Sequence, residues 1–195
     1  MNNYEYIIAS LPLLQQDGRE APDTEAVLTE IREQLSQKDQ AVLDLLLDAF
    51  DPEKLNAAFY LNAVKSRSRF VREYLRTDLG VRNAKVEYLN RTLGRPEGTD
   101  IVNPDLEADP EEFEQKAEVD AILNTTDILS RERGLDDFYW KTADTITVMD
   151  VFDLDVILAF VVKLKLVERW LRLDEETGRE LFRKLVKEIK ENTKI

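Results

Sequence analysis

Asp150, Asp153 and Asp155 lie close together in the chain, with Asp144 shortly upstream. Oxygen-rich clusters of this kind can hold magnesium or calcium, so a metal-dependent hydrolase centred on them is one reading. Their spacing is not that of an EF-hand, because the glycine and the terminal glutamate are missing. A simpler account is structural: one aspartate caps the helix that follows, and the others favour its positive end. The pair Glu111 and Glu112, just after Pro110, has the same explanation. No Gly-x-x-x-x-Gly-Lys or Gly-x-Gly phosphate loop occurs.

Other chemistry is removed by composition. The 195 residues include no histidine and no cysteine, which excludes Ser-His and Cys-His dyads, zinc fingers and Glu-x-x-His di-iron sites. Carboxylate, lysine, hydroxyl and oxygen-ligated metal chemistry remain. The expectation is a non-catalytic chain that needs no metal and no cofactor.

Charge supplies the next candidates. From Lys65 to Arg95 there are nine basic residues against three acids, and from Pro96 to Asp127 eleven acids against one lysine. Two explanations stand: the blocks pair with each other or lie on solvated faces, or the basic helix docks on an acidic partner. On the docking reading, Arg69, Arg72, Arg76, Arg82, Asn83 and Lys85 are the partner-binding residues. Nucleic acid is the weaker partner, since the chain carries a net charge of -13 and the basic block has little aromatic interleaving. Trp140 and Trp170 with Phe138, Tyr139, Phe152 and Phe160 could line a pocket, but at helical spacing such residues read as core.

The elements that must position these groups are helices. Six glycines and six prolines fall between helix-periodic segments, and 43% of the residues are apolar, enough for a core. Val27, Leu28, Ile31 and Leu35 form one stripe after Asp23, and Ser36 caps the next helix. Asp51-Pro52 reads as the start of a helix that continues through Phe59, Tyr60 and Leu61 toward a long one from about Lys65 to Leu93, which Gly80 bends or breaks. The region 94–109 is the most convincing loop. Asp109-Pro110 starts a further helix carrying Phe113, Val119 and Ile122. Gly134 separates two more, and Asp153 to Leu171 is the central helix, with Val156, Phe160, Leu164, Val167 and Leu171 in a repeating pattern. Asp174 caps the last helix, where Leu181, Leu185 and Ile189 form a spine. Tyr4 to Leu14 fits either a short strand or a buried helix. The class is all-α, a multi-helix bundle in one domain, with 94–109 as the meeting point if there are two lobes. The chain opens without a basic leader, and its densest apolar stretch, Val151 to Val162, is too short to cross a bilayer, so a cytoplasmic protein is expected.

Three stretches carry a resemblance: Tyr4 to Pro12 (YEYIIASLP), Asp78 to Asn90 (DLGVRNAKVEYLN) and Tyr139 to Trp170 (YWKTADTITVMDVFDLDVILAFVVKLKLVERW). They resemble a small uncharacterised family linked to rotary A/V-type ATPases. More loosely, Asp78 to Lys85 and Ala159 to Glu168 resemble helical segments of the C (or d) subunit of those machines. The resemblance implies an accessory or C-subunit-like component that meets the central stalk or rotor. Its partners would be ATPase subunits, and its membrane association peripheral, at the inner face. The alternative is a free-standing helical adaptor.

Overall fold

Short polar side chains write the helix starts. The Asp23 carboxylate accepts the N–H groups of Glu25 (3.0 Å) and Ala26 (3.2 Å), and the hydroxyls of Ser36 and Ser68 accept those of Asp39 and Val71. Asn56 accepts from Phe59, and Asp127 from Ser130. Each bond satisfies a backbone donor with no partner inside its helix.

In the computed structural model, which describes residues 4–16, 22–104 and 113–172, these signals give α1 (Glu5–Ser10), α2 (Thr24–Gln34), α3 (Gln37–Asp48), α4 (Ala57–Val64), α5 (Arg69–Leu93), α6 (Lys116–Leu123), α7 (Ile128–Thr147) and α8 (Leu154–Arg172). Every regular element among the described residues is helical. The ambiguous Tyr4 to Leu14 segment resolves as helix, ending at Leu11, whose extended backbone (ψ 135°) suits the residue before a proline. Asp51-Pro52 starts only a single 3-10 turn, Pro52–Lys54, and α4 then begins afresh under its own Asn56 cap. The Asp109-Pro110 start and the Asp174, Leu181, Leu185 and Ile189 helix lie outside the described residues.

Neither Gly80 nor Gly134 interrupts its helix. A Cβ added at Gly80 would sit 2.5 Å from Phe113 Cδ2, and one at Gly134 would sit 2.9 Å from Ile122 Cγ2. Both glycines are notches that admit a neighbouring side chain. Two effects compete in Gly80→Ala: the helix gains about 1 kcal/mol from alanine's propensity, while overpacking costs about 1–3 kcal/mol. Because the whole Phe113 ring must move, net destabilisation of about 1 kcal/mol is expected in urea unfolding; a gain in stability would contradict the packing account.

α8 is the central helix. It packs against α7, α5, α2 and α3, and Ile157, Leu158, Val161, Val162 and Leu164 are completely buried. The expected stripe is only part of this face: Val156, Phe160 and Leu171 are half-buried, and the buried arc is wider because several helices cover it. A larger apolar cluster gathers α1 to α5 with α7 and α8. A smaller one, Val81, Ala84, Val119, Leu123, Leu135 and Phe138, fills the junction of α5, α6 and α7. α5 runs through both and is the long strut of the fold.

Candidate interaction site

Each aspartate weighed as a metal ligand has a partner within the fold, and Asp155 fastens the start of α8 to the start of α5. Asp153 caps α8, accepting from the N–H groups of Asp155 (3.1 Å) and Val156 (3.4 Å). One oxygen of Asp155 accepts from the Ser68 hydroxyl (2.7 Å), and the other from the Phe70 N–H (3.1 Å). Its negative charge therefore faces the positive end of α5. Asp150 accepts from the Arg69 guanidinium at 2.5 Å, and Asp144 pairs with Lys163. Among the described residues no three acidic side chains converge as metal ligands would. Burial, then the neighbouring charges of Asp150 and Asp155, push the Asp153 carboxyl above its ordinary range.

The basic residues picked from the charge pattern have contacts within the chain. Arg69 pairs with Asp150 and, at 3.7 Å, Glu73. Arg72 donates to the Ser66 carbonyl (2.6 Å), and Lys85 lies 3.8 Å from Glu132. Arg76 is exposed but also engaged within the chain. Asn83 both donates to the Val102 carbonyl and accepts from the Val102 N–H, each at 2.9 Å, and so holds the loop after α5 against the helix. Asn90 and Glu87 hold the same loop through the Thr99 carbonyl and the Gly98 N–H. The charge blocks meet in part: Arg91 lies 3.6 Å from Asp120. Exposed pairs of this kind contribute little stability, but they occupy the side chains that charge counting singled out.

Arg82 belongs to a buried network that sequence reading missed. The carboxylate of Asp78, only 4% exposed, accepts from Arg82 Nε (2.7 Å), the Tyr60 hydroxyl (2.9 Å) and the Tyr139 hydroxyl (2.9 Å). Arg82 also donates to the Ala49 carbonyl at 3.3 Å. One carboxylate thus ties α4, α5 and α7 together, with the end of α3 reached through Arg82. Burial and the Asp78 charge push the tyrosine hydroxyls of Tyr60 and Tyr139 upward, so both stay protonated donors. The one available signal was an acid in a helix whose neighbours at i-4 and i+3, Tyr74 and Val81, are apolar.

The aromatic set divides. Phe138 is buried, Tyr139, Trp140 and Phe160 pack against the core, and Trp170 lies under the Arg133 guanidinium at 5.0 Å. Phe152, expected in the core, is exposed. It closes an apolar turn between α7 and α8 in which Val148, Met149, Val151 and Phe152 are 75%, 85%, 61% and 44% exposed. The turn is firmly anchored: the Asp150 N–H donates to the Thr147 carbonyl and the Tyr4 N–H to the Phe152 carbonyl, both at 2.9 Å. A hollow elsewhere is lined by Glu25, Leu28, Thr29, Arg32, Leu47, Phe50, Asp51 and Lys165.

Fold and site together define an all-helical protein whose described polar clusters bind its own helices to one another while one apolar turn faces outward. Residues 51–193 match the model of a family described as a protein of unknown function (DUF2764), and the chain belongs to that family. No curated protein and no solved structure matches it.

Proposed function

We propose that this protein is a non-catalytic, C-subunit-like docking component of a rotary A/V-type ATPase, acting as a rigid body in coupling or assembly. The observation that carries the docking reading is the apolar turn Val148–Phe152. Side chains of this size are rarely left together in solvent unless a partner covers them. The machine itself is suggested by the resemblance of the Tyr4 to Pro12, Asp78 to Asn90 and Tyr139 to Trp170 segments. Rigidity is supported by the Asp78 network and by the Asp150 and Asp155 fastenings, which leave the major helices little freedom to slide. Association with the membrane is indirect in this reading, through the ATPase at its cytoplasmic face. Among the described residues no helix is long and apolar enough to cross a bilayer.

Affinity purification of the tagged protein from gently solubilised native membranes tests the proposal. Rotary ATPase subunits should accompany the wild-type chain and fall by at least about tenfold with M149S/V151S, a loss on the order of 1.4 kcal/mol in binding. Recovery of no ATPase subunit would leave the free-standing adaptor as the better reading.

A further inference from the structure

We infer that the apolar turn Val148–Phe152 receives a cationic amphipathic helix of a partner protein. The inference rests on the docking reading above and adds the chemistry of the partner. Three features of the turn select this occupant.

The first is apolar content in a fixed frame. Val148, Met149 and Val151 are more than half exposed, and Phe152 is 44% exposed, yet the backbone is pinned at Thr147 and at Tyr4. A preorganised turn loses little entropy on binding. Met149, the most exposed of the four, can adapt to an irregular helix surface.

The second is charge. Asp150, Asp153 and Asp155 stand directly beside the turn, and Arg69 is the one cation bonded to any of them among the described residues. Exposed Glu5 lies on α1, whose start is bonded to the turn. A partner with apolar residues on one helical face and lysine or arginine flanking them would meet both features.

The third is what the net charge disfavours. At -13, two copies of this chain repel each other, and an anionic lipid surface repels each copy.

The test uses the full-length protein and a fluorescently labelled peptide of leucine and lysine placed at amphipathic helical spacing, read by anisotropy. Binding in the micromolar range is expected, weakening with added salt. It should weaken at least about tenfold in M149S/V151S. Leu13→Ser, which alters a leucine 87% exposed elsewhere, should bind as the wild type does, and far-UV circular dichroism confirms that each variant is folded. A leucine–glutamate peptide of the same spacing should not bind. The inference is overturned if M149S/V151S binds as well as wild type, or if the glutamate peptide binds equally. It is also overturned if neutral phosphatidylcholine vesicles, rather than the peptide, are bound through the same residues. No ATPase subunit is present in this assay, so its result is separate from the purification from membranes: peptide binding without ATPase recovery keeps the surface and removes the machine.

Discussion

Asp78→Ala should destabilise the protein by about 2–4 kcal/mol, a large fraction of the about 5–15 kcal/mol that holds an ordinary domain together. The size follows from what is left behind. The substitution removes the acceptor of three donors at once, Arg82 Nε and the hydroxyls of Tyr60 and Tyr139, at the junction of α4, α5 and α7. The Tyr60 hydroxyl, on a side chain only 2% exposed, is left without an acceptor and carries most of the cost, whereas the Arg82 side chain is 40% exposed and its charge rehydrates. The double variant D78A/Y60F, which also removes the buried hydroxyl left without an acceptor, should therefore recover part of the loss. Urea unfolding checks both: a cost below about 1 kcal/mol for Asp78→Ala, or no recovery in the double variant, would show that the network is not the pin described above.

The second large effect is a dependence on pH. Asp136, on α7 and 5% exposed, accepts from Arg169 of α8 through one oxygen. Among the described residues its other oxygen has no hydrogen-bond donor. Burial is the main cause that pushes its carboxyl up to about 6 from 3.8; the Glu132 charge adds to the rise, while Arg169 and Arg133 oppose it. An acid whose pKa is raised by folding holds its proton more tightly in the folded state. Its contribution is therefore most favourable below about pH 4 and is lost as pH rises toward and through 6, by up to about 3 kcal/mol. The effect is read as a difference from wild type, so that the other titrating groups cancel. Relative to wild type, Asp136→Asn should be more stable at pH 7.5 than at pH 4 by on the order of 2–3 kcal/mol. Parallel stability curves for the two proteins would contradict the assignment.

Where helices begin was legible because capping is local. Asp23, Ser36 and the Asp153 region act within three residues of themselves, and the structure shows all three caps. Glycine was ambiguous for the same reason. The sequence around Gly80 or Gly134 does not say whether a missing side chain ends a helix or admits Phe113 or Ile122, because the deciding neighbour is far along the chain. Charge was misleading at longer range. Arg69 and Asp150 are 81 residues apart, so counting the 65–95 block as basic could not reveal the carboxylate that occupies Arg69. The apolar turn was hidden by its own composition. Phe152 among neighbouring aromatics reads as core, and only the fold shows that α7 has already ended and that the turn projects outward.

The sharpest comparison between the two candidate contact faces is site-specific photo-cross-linking in living cells, with the photoreactive residue placed at Met149 in one protein and at Arg76 in another. The docking account predicts that the probe at Met149 forms a covalent adduct with a rotary ATPase subunit, through a segment rich in lysine or arginine, and that the probe at Arg76 does not. Adducts from Arg76 alone, or adducts from Met149 that contain no ATPase subunit, would contradict it.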